Sequence, residues 1–184
     1  MADLAAPPMP PSESMAMSEF LKNREKDYRV RAVNLLGDLE VAAKPMQPDL
    51  IALLKDRESD VRAAAAEALG RQGKEAKPAA PALVERLKDD DKWTRGVAAE
   101  ALGRIGVDIP KAIPVLTALL RDKEADKDLR VRMAAALGDI GSSAKKAVPD
   151  LIAALKDTPD EVRAAAGEAL KKVDAKAAAK AGVK

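Results

Sequence analysis

Apolar residues recur at helical spacing along most of the chain, in two alternating patterns. The first is short and opens on proline: PDLIALLKD at 48–56, PALVERLKD at 81–89, PVLTALLRD at 114–122 and PDLIAALKD at 149–157. Leu50, Ile51, Leu53 and Leu54 display its spacing, which places them on one side of a helix. Proline suits the first turn, where its missing N–H costs nothing. The second pattern is longer and rich in alanine: YRVRAVNLLG at 28–37, VRAAAAEALG at 61–70, TRGVAAEALG at 94–103, LRVRMAAALG at 129–138 and VRAAAGEALK at 162–171. It also predicts a helix, so each unit of sequence is a helix pair.

The two patterns keep one register. The aligned arginines are Arg29, Arg62, Arg95, Arg130 and Arg163, with steps of 33, 33, 35 and 33 residues. A two-residue insertion in the charged stretch 123–128 explains the longer step and predicts a loop there. Shifting back 33 residues lays Phe20-Leu21-Lys22-Asn23 over Leu53-Leu54-Lys55-Asp56, so a degenerate first copy begins near Met15. The expected organisation is five repeats, at about 15–41, 42–74, 75–107, 108–142 and 143–173. Residues 1–14, with Pro7, Pro8, Pro10 and Pro11, read as a disordered tail. Residues 174–184 read as a Lys/Ala-rich helix extension or tail; with Lys171 and Asp174 where other copies have glycine, the last helix is expected to run on to Ala181.

Two recurring residue types go against helix propensity. Gly37, Gly70, Gly103 and Gly138 lie inside the second helix, where glycine costs about 1 kcal/mol against alanine. Either a neighbouring backbone approaches closely there or the helix bends. Gly73, Gly106 and Gly141 stand just past the helix and predict C-terminal caps. The aligned arginine falls in the first turn, where the helix dipole disfavours a cation. Asp56, Asp89 and Asp157 stand six residues before it and Asp122 eight before, with Asn23 in the first copy. Each turn is therefore expected to hold a carboxylate that accepts from the arginine of its own or an adjacent unit. The result would be a structural ladder of Arg29, Arg62, Arg95, Arg130 and Arg163 with Asp56, Asp89, Asp122 and Asp157.

These motifs, with the Asp-to-Arg spacing of six, resemble the HEAT repeat family, in particular the short bilin-lyase-type (PBS lyase) HEAT-like repeats. The resemblance covers roughly residues 15–173. It implies an all-α fold: a right-handed α-solenoid of about five antiparallel helix pairs, with the second helix of each pair on the concave side. Tyr28 and Thr94 for Val, and Gln72 for Ile, depart from the family pattern.

Composition narrows the chemistry. There is no His and no Cys, which removes imidazole bases, thiolate nucleophiles, disulfides and the usual zinc ligands. No cofactor or metal is expected. Phe20, Tyr28 and Trp93 are the only aromatics, too few to stack successive bases. Alanine, at 39 of 184 residues, suits closely packed helices. The net charge of +2 splits into −3 over residues 1–19, +4 over 171–184 and +1 between them. The near-neutral middle is no trap for nucleic acid or membrane, and neither is expected as a partner. No signal peptide or membrane span is visible, so a cytoplasmic protein is expected.

The resemblance places the variable positions of the second helix on the concave face. They include Arg31, Asn34 and Asp38; Glu67 and Arg71; Val97, Glu100 and Arg104; Arg132 and Asp139; and Glu168 and Lys172. This face is electrically balanced, and Glu67–Arg71, Glu100–Arg104 and Glu168–Lys172 have i,i+4 spacing that supports pairing along one helix. Trp93 stands where the other copies have Asp27, Asp60, Asp128 and Glu161. Its ring either faces solvent as an interface anchor or folds back over the neighbouring turn. The expected function is a monomeric, non-enzymatic scaffold that binds another protein on the concave face. The alternatives are an accessory subunit like the bilin lyase HEAT proteins and a nucleic-acid-binding HEAT-like protein. The Lys-rich end reads as a solvated capping face.

Overall fold

The computed structural model describes residues 22, 25–38, 45–106 and 111–183. The Pro-rich tail, Phe20, Asn23 and the expected first helix of the degenerate copy lie outside them. Every regular element among the described residues is helical. Four units are described with both helices: α2 (Gln47–Leu53) with α3 (Ser59–Arg71), α4 (Ala80–Arg86) with α5 (Lys92–Ile105), α6 (Ala112–Arg121) with α7 (Lys127–Ile140), and α8 (Val148–Ala154) with α9 (Asp160–Val173). They follow α1 (Lys26–Asp38), the second helix of the first copy, and precede α10 (Ala175–Lys180). Short 3-10 segments, Gly73–Ala79 and Gly141–Ala147, link one unit to the next.

This is an α-solenoid. Each second helix packs on the second helices of its neighbours, in the order α1, α3, α5, α7 and α9, and α3, α5, α7 and α9 also pack on the first helix of their own unit. The core is a continuous strip to which every complete unit contributes the same positions. Leu50, Leu54 and Leu69 of one unit and the aligned Leu83, Leu87 and Leu102 of the next are all fully buried in this strip. Gly73, Gly106 and Gly141 adopt positive φ of 56°, 60° and 69° where the chain leaves α3, α5 and α7; Gly106 is a left-handed cap with ψ 15°, and Gly141, with ψ −143°, takes a conformation open essentially to glycine alone.

The inner glycines sit where adjacent second helices touch. A Cβ at Gly70 would lie 2.9 Å from the Ala101 Cα, and one at Gly138 2.8 Å from the Ala169 Cα. At Gly103 the nearest atom would be the Asp139 Cβ at 3.1 Å. Gly37 is looser, with the Ala68 Cα at 3.5 Å. Close approach, not a bend, accounts for three of the four.

The C-terminal end differs from the single helix expected. α9 stops at Val173, and Asp174 turns extended with φ −156°. Its carboxylate caps α10 by accepting from the Lys176 and Ala177 N–H groups, both at 3.0 Å. α10 then brings Val183 back against Gly167 of α9, and Ala178 is buried.

Gln72 stands where Ile105 and Ile140 stand in later units. Its Oε1 accepts from the Gln47 Nε2 at 2.7 Å, a buried amide pair replacing an apolar contact.

Candidate functional site

The turn between the two helices of a unit is built around one aspartate. Asp56, Asp89, Asp122 and Asp157 each accept from a backbone N–H one or two residues on, at 2.8–3.1 Å, which shapes the turn. Three of them also receive the arginine of the preceding unit. Arg29 donates to Asp56 through Nε and Nη2 at 2.8 and 2.9 Å. Arg62 donates to Asp89 at 2.9 and 2.6 Å, and Arg130 to Asp157 at 2.6 Å. Each arginine is thus handed forward 27 residues. Within its own unit, Arg62 donates from Nη1 to the Asp56 and Arg57 carbonyls. Arg95 and Arg163 do the same at their own turns. Arg62 therefore ties two turns together and satisfies carbonyls that the chain reversal leaves without partners.

One rung is missing. Asp122 is exposed and receives no arginine among the described residues, and Arg95 is left with the Asp89 and Asp90 carbonyls. The cause is the insertion. The aligned first helices end at Leu53, Arg86 and Ala154, but α6 continues to Arg121, two residues past the corresponding Leu119, and carries Asp122 outward. Arg163, in the last unit, pairs with Asp160 in its own first turn.

Burial would raise the Asp89 carboxyl, but donors from Arg62 and the Asp91 N–H outweigh it and hold the group down at about 2. Asp157 is also lowered: burial works against its charge, and Lys123, Arg130 and the Thr158 N–H prevail.

The exposed face of the second helices carries the expected variable residues, with one correction. Val97 is 5% exposed and belongs to the core. Arg31, Asn34, Asp38, Glu67, Arg71, Arg104, Asp139, Glu168 and Lys172 are exposed, and Glu100 and Arg132 are partly so. Of the i,i+4 pairs, only Glu67–Arg71 forms, at 2.9 Å. Glu100 pairs with Arg132 of the next unit at 2.5 Å, and Glu168 with Lys171 at 2.7 Å. The other contacts also cross between units: Asp38–Arg71 at 2.7 Å and Asp139–Lys172 at 2.8 Å. At the rim, Lys26–Asp60, Lys92–Asp126 and Lys127–Glu161 repeat one arrangement 34 residues apart. The signal for these pairs in the sequence is opposite charge at one repeat length rather than at one helical turn.

Trp93 is 57% exposed at the start of α5. The Arg132 guanidinium stacks on its ring, 4.4 Å from the centroid. Gly96 makes this possible, because a Cβ there would lie 2.7 Å from the Arg132 Cδ. Arg132 therefore crosses α5 over a glycine, stacks on Trp93 and is held by Glu100. The signal for this arrangement is Gly96 itself, standing where neighbouring units carry Ala63 and Val131. Two hollows flank the indole. One of about 250 Å³ is lined by Lys92, Asp126, Asp128, Leu129 and Arg132. The other, about 180 Å³, is lined by Glu67, Val97, Glu100, Ala101, Arg104 and Arg132.

The model of HEAT repeats matches residues 15–94, 48–126 and 123–181, which together span the whole repeated region. The chain belongs to the HEAT repeat family. Solved structures agree on the architecture of this HEAT protein. An engineered protein is 25% identical, with TM-score 0.71 over 90% of this chain and 83% of its own. The complex of CpcE and CpcF of phycocyanin lyase from Nostoc sp. PCC7120 gives 24% identity and TM-score 0.74, over 91% of this chain and 69% of that one. A computationally designed armadillo repeat protein for modular peptide recognition gives 21% identity and TM-score 0.67, over 91% and 87%. No curated protein sequence matches. Likeness at these identities to the lyase and armadillo structures shows the fold alone. Among the described residues of the HEAT chain, no group of three or more Asp or Glu is placed to hold a metal ion, and no helix is long and apolar enough to cross a membrane.

Proposed function

We propose that this HEAT protein is a non-enzymatic scaffold that binds another protein on its second-helix layer, the concave side of the solenoid. The observation that carries this reading is Trp93, exposed in a register where other units place a charge and held in position by Arg132 rather than by the core. Large aromatic side chains of this kind supply much of the energy of protein interfaces. Second helices meet almost backbone to backbone at Gly70 and Gly138, while first helices are spaced by the linking segments. A stack that is tighter on one side bends toward that side. The rest of the face has its charges largely matched across units, which favours a surface that recognises shape over one that attracts polyanions.

Affinity capture from the native cell extract tests the reading, comparing the wild type with Trp93→Ala and with Arg104→Glu. The expected result is a protein partner retained by the wild type and lost by Trp93→Ala, with the thermal midpoint nearly unchanged. Unaltered capture by both variants would sink the reading. A large fall in stability with full capture by Trp93→Ala would assign the ring to packing.

A further inference from the structure

The smaller hollow beside Trp93 has an apolar base and an unevenly satisfied rim. Val97 and Ala101 form the base, Trp93 closes one end and Arg104 the other. The acids on the rim are already engaged, Glu67 by Arg71 at 2.9 Å and Glu100 by Arg132 at 2.5 Å. Arg132 is spent on Glu100 and the indole. Arg104 is exposed and donates to no group among the described residues. The helical pairing that would have occupied it is lost because Arg132 takes Glu100.

A partner that covered this hollow without offering an acceptor would bury guanidinium donors unpaired, at a substantial cost. A carboxylate meets them in the fork geometry of arginine. The apolar base and the open side of the indole call for an apolar side chain. We infer that the hollow takes an extended segment of a partner protein, with an apolar side chain against Trp93 and Val97 and a side-chain carboxylate on Arg104. This rests on the scaffold reading above and names the partner's chemistry. Trp93 and Arg104 are eleven residues apart on α5, or about 16 Å. An extended chain advances about 3.3 Å per residue and returns to the same face every second residue. The carboxylate therefore stands four residues from the apolar side chain, with the length of Arg104 closing the remaining gap.

The probe is a random heptapeptide library displayed without a free C-terminal carboxylate, selected on the wild type and counter-selected on Trp93→Ala. Trp93 is the only tryptophan in the chain, so its emission reports occupancy of the hollow directly. Enriched peptides should carry Asp or Glu four positions from an apolar residue and shift the emission. Trp93→Ala should weaken them by about 30-fold and Arg104→Gln by about tenfold. Arg104→Glu should exchange the acidic preference for a basic one. Enrichment without an acidic preference, an acidic set that Arg104→Glu retains, or no enrichment overturns the inference. So does an emission shift that appears with protein concentration alone, which would make a second copy of this chain the occupant. If these fail while the captured partner still depends on Trp93, the scaffold reading stands and only the stated partner chemistry is lost.

Discussion

At the scale of single residues, glycine and alanine divide the work of bringing helices together. A Gly-to-Ala change inside a helix normally gains about 1 kcal/mol. At Gly37 the added methyl would find ordinary contact at 3.5 Å, so Gly37→Ala is expected to raise the denaturant midpoint. At Gly70 and Gly138 the new carbon would lie 2.9 and 2.8 Å from a neighbouring Cα, where the obstacle is backbone and cannot swing away. Those substitutions are expected to lower stability by about 1–3 kcal/mol, as overpacked cores do. Urea titrations of the three variants decide the matter: equal shifts would mean that the contacts relax. The recurrence of these glycines announced something unusual in the sequence. Gly96, outside that series, marks its own position in the sequence but not what passes over it, which is Arg132, a residue 36 positions away whose path depends on the packing of α5 and α7.

At the scale of elements, the turn aspartate serves two purposes that the sequence shows as one spacing. Asp122 keeps the turn-shaping contact with the Glu124 N–H and has no arginine among the described residues, so the two purposes separate there. The six-residue spacing of Asp and Arg was legible, but it reflects contact of the arginine with its own turn's carbonyls. The carboxylate pairing runs 27 residues forward and follows from stacking. The insertion was legible as well; that it lengthens α6 and removes a rung was not. Arg62→Met removes two hydrogen bonds from the buried Asp89 carboxylate but leaves it Arg86, at 2.9 Å, so it should cost about 1.5–3 kcal/mol, as for a hydrogen bond to a charged group. Arg95→Met removes hydrogen bonds to two carbonyls and no buried ion pair, and should cost about 1 kcal/mol. The rung also sets an acid limit. The folded Asp89 carboxyl titrates at about 2, below its value in the unfolded chain, so its contribution is complete above about pH 4. As pH falls from about 4 to 2 the unfolded chain binds the proton first, and on the order of 2 kcal/mol is lost. Asp89→Asn should flatten that part of the stability–pH curve; an unchanged slope in urea titrations over this range would show that other carboxylates carry it.

At the scale of the whole molecule, the core is a strip that runs from unit to unit, and each unit is stabilised by its neighbours. The unit at 143–173 ends differently from the others, through local chemistry. Lys171 replaces the inner glycine, which makes the close approach of another helix unfavourable, and Asp174 starts α10, which lays Val183 over Gly167. The repeat pattern marked this unit as atypical but not the fold-back, since Ala-Lys-Ala-Ala-Ala-Lys continues a helix as readily as it begins one. The single extended residue at Asp174 decides between the two, through the cap it gives to Lys176 and Ala177. If coupling runs only between neighbours, deleting residues 174–184 should act locally. The expected result is a fall of several degrees in the thermal midpoint, at about 2–4 °C per kcal/mol for a chain of this size. Amide exchange should quicken through α8 and α9 and stay unchanged in α3. Uniformly faster exchange in every helix would instead mean that the five units unfold as one block, and that the cap contributes to the stability of the whole array rather than to that of its last pair.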